Sequence, residues 1–272
     1  MKLKSHWWWD LTALDFARLD MHNIVAVLPV GAVEQHGPHL PVKVDSAISN
    51  GIIEEAVRNM TEDFPVLVLP TLSIGKSDEH IDYPGTLTIS ADTLAQLWFE
   101  VAHSAYRAGV RKIVFVNAHG GQPQIMEVVC RRLRIELGMM AVGCAWYSVT
   151  EMGDLFNKHE LKHGIHAGEV ETSMMLYLHG DLVDMAHAKH WESLSVGLEK
   201  KGGMLSPEGA VGFGWQAQDL HPSGACGNAA AADTERGEIL VKRAATRIVT
   251  LLEEVSAFSM EHFANKPDST AH

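Results

Sequence analysis

The feature that most constrains the fold is the alternation of short apolar runs with longer segments of helical periodicity. Short continuous apolar runs are typical of strands buried on both faces. Strands are predicted at 24–30, 65–70, 112–117 and 140–146, and helices at 10–19, 45–60, 91–108, 123–137, 169–178 and 234–258. Strands that alternate with helices favour a parallel sheet covered on both sides. The sequence therefore predicts a single-domain α/β protein, a three-layer sandwich with a mostly parallel central sheet.

One long segment departs from this alternation. Residues 192–229 are rich in glycine, serine and other polar residues, which predicts an irregular region. A connector of this length is uncommon in a compact domain unless it has a function. We interpret it as a lid, a subunit contact or a substrate loop, with disorder as the alternative. Because the sequence contains no repeat and no evident linker, one domain over residues 1–272 is the simplest organisation.

Composition and charge exclude several classes of partner. Hydrophobic residues make up 46% of the 272 residues, and the formal net charge is −12. This charge argues against nucleic acid and membranes as partners, because nucleic acid and anionic lipid both require a basic surface. No apolar run is long enough to span a membrane and no signal peptide is evident, so we expect a cytoplasmic protein. Cys130, Cys144 and Cys226 are expected to be reduced thiols.

The first cluster of chemically active residues follows the strand predicted at 24–30. Glu34 and His36 are two positions apart, so in extended backbone their side chains leave the same face. Asp45 can return to that point once the loop between them has folded back. Two carboxylates and an imidazole suit a divalent metal, and a solvated polar loop is the alternative that spacing alone leaves open.

Two further clusters strengthen the metal hypothesis. His119 follows the buried strand at 112–117, and Gly120 and Gly121 after it would let backbone approach a ligand closely. His166 and Glu171 precede and begin the helix predicted at 169–178. Acidic residues are favoured in the first turn of a helix for structural reasons alone, so this third cluster is the least specific of the three.

Together the three clusters resemble the creatininase, or creatinine amidohydrolase, family. The resemblance rests on E-x-H-G-x-H-L-P with an aspartate nine residues after the first histidine, on N-x-H-G-G after a strand, and on H-A-G-x-x-E-T-S before a helix. It covers residues 24–180. It implies a creatininase-like fold, a metal-dependent hydrolase of C–N amide bonds in small cyclic or formyl amides, a binuclear metal site and a homohexamer.

The resemblance also implies roles for individual residues. Asp45 would bridge two divalent metals, Glu34 and His119 would hold one of them, and His36 would hold the other with Glu171 as an extra ligand. Zinc is the expected metal, with manganese and iron as alternatives. The metals would clamp a hydroxide that attacks the amide carbonyl. His166, or Glu171 if it is not a ligand, would then protonate the leaving nitrogen.

Departures from the family pattern bear on the substrate. Gly121 stands where creatinine-hydrolysing members carry a metal-binding glutamate, so Gly121→Glu is expected to strengthen the second metal site if it is sterically tolerated. Lys162 stands where a tryptophan packs against creatinine, which suggests an anionic substrate, with a solvated surface lysine as the alternative. Tyr147 aligns with a second aromatic position. The residues expected to contact substrate are His80, Gly120, Gly121, Tyr147 and Lys162.

The functional prediction is a metal-dependent hydrolase acting on the C–N bond of a small, preferably cyclic amide other than creatinine. The alternatives within the family are a formamide hydrolase and a peptidase. A different class is a non-catalytic relative that keeps the fold and binds metal. All the expected metal ligands are present except the glutamate that Gly121 replaces, and this favours an enzyme. The expected partner is a small-molecule amide, with no nucleic acid and no membrane.

Overall fold

The computed structural model describes residues 2–263. Within them the strands are β1 Val25–Val30, β2 Val66–Val68, β3 Lys112–Asn117, β4 Met140–Ala145, β5 His190–Trp191 and β6 Gly227–Asn228. The α-helices are α1 Ala13–Arg18, α2 Val44–Arg58, α3 Ala91–Arg107, α4 Pro123–Leu137, α5 Trp146–Val149, α6 Lys158–His163, α7 Glu169–His179, α8 Leu194–Lys200, α9 Ala217–Leu220 and α10 Thr234–Ala257.

The central sheet has four parallel strands in the order β2-β1-β3-β4. β1 lies next to β3 in a register that pairs Val30 with Asn117, so both strands end at the same edge. The loops that leave these two strands therefore begin side by side. β5 and β6 form a separate antiparallel pair. The predicted mostly parallel sheet is confirmed.

Two hydrophobic cores lie on opposite faces of the sheet. Alternate side chains of β1 and β3 enter opposite cores, because successive residues of a strand face opposite ways. Val27 and Val114 join the core that packs against α2, α7 and α10. Leu28 and Phe115 join the core formed with α3 and α4. Helices thus cover both faces, as the three-layer prediction required.

The predicted helices and strands are present close to their predicted bounds, but residues 192–229 were misjudged in part. α8 and α9 lie in this segment and β6 lies at its end. The Ser193 side chain caps α8 by accepting a hydrogen bond from the backbone N–H of Ser195. Both helices are too short for periodicity to show in the sequence. The stretch between them is irregular, as predicted.

No helix among residues 2–263 is long and apolar enough to cross a membrane.

Candidate metal centre

Five side chains from separate stretches of chain meet at the carboxyl edge of the sheet. Glu34 and His36 lie in the loop after β1, His119 follows β3, and Asp45 and Glu171 lie in the first turns of α2 and α7. The first four of these residues are almost fully buried, whereas the Glu171 side chain is 21% exposed. We call these five residues the inner wall. Functional residues commonly gather at this edge of a parallel sheet.

Asp45 lies at the centre of the inner wall. Its Oδ1 is 3.4 Å from His36 Nε2, and its Oδ2 is 3.3 Å from His119 Nδ1. Glu34 Oε2 is also 3.3 Å from His119 Nδ1, and Glu171 Oε1 is 3.9 Å from His36 Nε2. Four groups of donor atoms within residues 2–263 are close enough to hold an ion, and two of them include Asp45. One of these two has Glu34 and His119, and the other has His36 and Glu171. This is the arrangement that a bridging carboxylate requires.

Each imidazole of the inner wall turns one ring nitrogen toward the carboxylates. His36 Nδ1 donates to the Glu34 carbonyl over 3.0 Å, which leaves Nε2 free. His119 Nε2 donates to the Lys76 carbonyl over 2.8 Å, which leaves Nδ1 free. Within residues 2–263, Glu34 Oε2, His36 Nε2 and Asp45 Oδ2 are buried atoms without a hydrogen-bond partner. Buried polar atoms are rarely left unpaired, so these donors fit a divalent cation.

The buried carboxylates of the inner wall also require positive charge beside them. Burial works to raise the pKa of Glu34, but the facing His119 imidazole outweighs it and lowers that pKa to about 2. Burial works to lower the pKa of His36, but the Asp45 carboxylate raises it to about 9. The His119 pKa is raised well above its ordinary value against burial, chiefly by Glu34. In the metal-free protein, protons on the imidazoles therefore neutralise the carboxylates, and a bound metal would replace those protons.

His80 faces the inner wall as a hydrogen-bond donor. Gln35 Oε1 accepts from the backbone N–H of Gly37, so the Gln35 amide nitrogen must be the atom that faces His80 Nδ1 at 2.7 Å. The amide donates to Nδ1, and the proton of His80 is thereby placed on Nε2, which lies 3.4 Å from Glu34 Oε1. A protonated ring nitrogen does not ligate a metal. His80 is thus suited to bind substrate, the role predicted from the sequence.

His166 lies beside His80 and His36, with ring centroids 4.4 Å and 4.1 Å away. Its Nε2 donates to the Gln35 carbonyl over 2.7 Å, so the lone pair is on Nδ1, which is 3.7 Å from Glu34 Oε1. Burial holds the pKa of His166 well below its ordinary value. A neutral imidazole with a free nitrogen can accept a proton and then release it to a leaving group.

Glu171 is oriented by an unusual stretch of backbone. The backbone N–H of Ala167 donates to Glu171 Oε2 over 2.5 Å. Ala167 has φ +56°, a left-handed conformation that costs energy for any residue with a Cβ atom. Burial raises the pKa of Glu171 to about 7. Strained backbone is concentrated at functional sites, and here it turns an amide toward a candidate ligand.

The family model for creatinine amidohydrolase, named Creatininase, matches residues 9–252. The chain belongs to the creatininase family. The inner wall contains at least one residue from each of the three motifs that carried the resemblance. The predicted family and the predicted α/β fold with a parallel sheet are both confirmed.

Relatives within the creatininase family differ in what they act on. The mycofactocin precursor peptide peptidase of Mycobacterium tuberculosis (strain CDC 1551 / Oshkosh) is 33% identical over 158 residues, which cover 56% of this chain and 57% of that protein. The match thus spans less than two thirds of that relative. Creatinine amidohydrolase of Pseudomonas putida is 30% identical over 185 residues, 62% of this chain and 70% of that protein. A solved structure described as "Creatininase Mn" shares the fold, with a TM-score of 0.76, 23% identity and coverage of 94% and 100%.

In this creatininase-family chain a cavity of about 820 Å³ leads from the inner wall to solvent. Gly120, Gly121, His80, Tyr147 and Lys162, the residues expected to contact substrate, all line it. Residues 207–209 and 212–215 line the same cavity. They belong to the segment that the sequence suggested to be a lid, a subunit contact or a substrate loop. We call Lys162 and residues 207–215 the outer wall. The Lys162 ammonium is exposed and already forms an ion pair with Glu199.

Two buried amide side chains support the loop after β3. The Asn117 side chain accepts from the His119 backbone N–H and donates to the His119 carbonyl, and so braces this loop. Gln122 was missed: it donates to Asn117 Oδ1 over 2.8 Å and to the Gly31 carbonyl over 3.2 Å. This amide joins the loops that leave β1 and β3. Its signal would have been a buried polar residue directly after a glycine pair.

The expected benefit of Gly121→Glu is contradicted by the space at this position. A Cβ atom at Gly121 would lie 1.9 Å from Glu79 Oε1 and 2.5 Å from His119 Nε2. A glutamate cannot enter without displacing one of these groups. Glu79 was also missed, because forty positions separate it from His119 and no sequence spacing relates them.

Proposed function

We propose that this chain is a metal-dependent amidohydrolase that cleaves the C–N bond of a small amide. The observation that carries the proposal is the pair of donor groups that share Asp45. Their unpartnered buried atoms face one another at the base of an open cavity. Glu34 and His119 would hold one metal, and His36 and Glu171 the other. Zinc and manganese both accept such ligands, and manganese is named for a related solved structure.

The metals, when bound, would polarise the amide carbonyl and lower the pKa of water to supply a nucleophile near neutral pH. His166 would take a proton from the attacking water at Nδ1 and return it to the leaving nitrogen. His80 would donate a hydrogen bond from Nε2 to a polar atom of the substrate. Burial raises the pKa of Tyr147 to about 12, so its hydroxyl stays protonated and is a second donor in the cavity.

A small cyclic amide other than creatinine is the first substrate class that we propose. Lys162 replaces an aromatic wall expected for creatinine, and the cavity of about 820 Å³ exceeds what one five-membered ring fills. A second candidate is cleavage of a peptide. It is favoured by the same cavity volume and by the 33% identity to a peptidase.

The test combines metal loading with a substrate screen. Chelated protein would be reloaded separately with zinc, manganese and iron, and its metal content measured by elemental mass spectrometry. Cyclic amides and imides, N-formyl amines and short peptides would then be assayed for release of amine and carboxylate. Metal-dependent turnover of one class supports the proposal and identifies the substrate class. A fully loaded protein that hydrolyses none of the three classes would contradict it.

A further inference from the structure

The side-chain space at Gly121 is filled by another residue. A Cβ atom there would meet Glu79 Oε1 at 1.9 Å, far inside contact distance. Gly121 is not among the glycines with positive φ in residues 2–263, so backbone conformation alone does not demand glycine. The neighbouring Gly120 has no atom within 4 Å of a Cβ atom placed on it. The requirement for glycine at 121 therefore comes first from Glu79, and second from His119 Nε2, which the same Cβ atom would meet at 2.5 Å.

Glu79 reaches the ring nitrogen of His119 that faces away from Asp45, and a Glu79 carboxylate oxygen also lies within 4.8 Å of donor atoms of Glu34 and His80. Glu79 Oε1 lies 3.5 Å from His119 Nε2, the nitrogen that donates to the Lys76 carbonyl. The other oxygen, Oε2, accepts from Lys76 Nζ over 2.8 Å, and the Glu79 side chain is 10% exposed. The loop at 76–79 thus surrounds His119 Nε2 with a carbonyl and a carboxylate, both anchored on Lys76.

A carboxylate beside the outer N–H of a ligating imidazole fixes the ring and increases its basicity as a ligand. His119 Nδ1, at the other end of the ring, is 3.3 Å from both Glu34 Oε2 and Asp45 Oδ2. We propose that Glu79 is a positioning residue for His119, and that Gly121 is glycine because it leaves room for the Glu79 carboxylate. The inference rests on the proposed function, since it assumes that His119 binds a metal.

The charge part of the inference is tested by metal affinity. Glu79→Gln keeps the shape of the side chain and removes its charge, and we expect the dissociation constant of one metal to rise about 10- to 100-fold. Asp78→Asn is the matched control, because Asp78 is in the same loop, its side chain is 53% exposed and it lies 3.9 Å from Lys76 Nζ. It should bind both metals as the wild type does. Thermal unfolding of the metal-free variants would verify that each is folded.

The outcomes separate the inference from the proposed function. A wild-type chain that takes up no zinc or manganese contradicts both. A wild-type chain that binds metal, with Glu79→Gln and Asp78→Asn binding equally well, contradicts only the positioning role. A weaker metal site in Glu79→Gln alone supports it. The absorption spectrum of the cobalt-loaded protein gives a second readout, because altered orientation of His119 changes the ligand field while a loop defect does not.

The steric part is tested by a double-mutant cycle. Gly121→Ala should displace the Glu79 carboxylate, whose Oε1 the new Cβ atom would meet at 1.9 Å, and should weaken metal binding as Glu79→Gln does. In a Glu79→Ala background the same substitution should have a smaller effect, because only the contact with His119 Nε2 at 2.5 Å remains. Gly120→Ala controls for loss of a glycine in this loop and should leave metal affinity unchanged. Equal effects of Gly121→Ala in both backgrounds would contradict the link between positions 121 and 79.

Discussion

The inner and outer walls of the cavity are built in different ways. The inner wall consists of side chains that are nearly all buried, and most of them closely follow a strand or begin a helix. His36, His119 and Glu171 are each held by a hydrogen bond to the backbone. The outer wall is formed by an irregular loop and by Lys162, whose exposed ammonium pairs with Glu199. The inner wall can therefore hold reacting groups in fixed positions, whereas the outer wall can change without disturbing them.

This difference indicates that the inner wall determines the chemistry and the outer wall determines the substrate specificity. Groups fixed by buried hydrogen bonds lose little further freedom when a ligand binds, which favours tight metal binding and catalysis. Exposed ion pairs contribute little to stability and are readily exchanged for contacts with a ligand. We therefore expect substitutions of the inner wall to affect metal content first, and substitutions of the outer wall to affect substrate choice.

The largest effect is expected for Asp45→Ala. It removes the shared ligand from both donor groups, so metal content should fall below one ion per chain. Turnover should fall at least about a thousandfold, equal to about 4 kcal/mol of transition-state stabilisation. Elemental mass spectrometry and the hydrolysis assay would measure both effects, with the exposed Asp63→Ala as control. Full metal content together with full turnover would contradict the bridging role.

The inner wall also predicts opposite pH dependences for stability and metal affinity. The pKa of His36 is raised from 6.5 to about 9 in the metal-free protein, despite burial, chiefly by Asp45. This stabilisation, up to about 3 kcal/mol, is present below pH 6.5 and is lost as the pH rises through about 9. Metal affinity should instead increase over this range, by at least about tenfold per pH unit near neutral pH, because metal displaces protons.

Denaturant unfolding with and without metal, at a series of pH values, would measure both trends. The metal-free protein should lose stability above neutral pH while the loaded protein does not. Metal affinity that is independent of pH between about 6.5 and 8 would show that the imidazoles are not ligands.

Local sequence patterns were sufficient to place three residues of the inner wall close together. The spacing of Glu34 and His36, and the position of His119 after a buried strand, place these side chains at one edge of the sheet. The alternating strands and helices were sufficient for the three-layer fold. Asp45 and Glu171 were found through motifs, and their proximity to the histidines followed only from the resemblance.

What sequence reasoning missed depends on contacts between distant loops. Gln35 fixes the tautomer of His80 through an amide whose orientation is set by Gly37. Glu79 reaches His119 from a separate loop, and its carboxylate occupies the space that a side chain at position 121 would need. Gly121, interpreted from the sequence as the loss of a metal ligand, therefore leaves room for this carboxylate. Residues 207–209 and 212–215 border the cavity only because the chain returns there after α8. Neither periodicity nor motif spacing in the sequence predicts such contacts.

A smaller effect is expected where the inner wall depends on strained backbone. Ala167 is fully buried and has φ +56°. Ala167→Val should destabilise the metal-free protein by about 2 kcal/mol or more, because a β-branched residue is disfavoured at positive φ and the site has no room for it. Ala167→Gly should change stability by about 1 kcal/mol or less. Denaturant unfolding would measure both, and equal effects of the two variants would show that φ at this position is unimportant.

The smallest effect is expected at the outer wall. Lys162→Ala should leave metal content unchanged, because its ammonium contacts Glu199 rather than any residue of the inner wall. It should lower kcat/KM for amides that carry a carboxylate by about fivefold or less relative to neutral amides, the range expected for an exposed ion pair. Glu199→Gln, which frees the ammonium, should raise the same ratio. If Lys162→Ala instead removed metal, the two walls would not be independent, and the separation of chemistry from specificity would not hold for this chain.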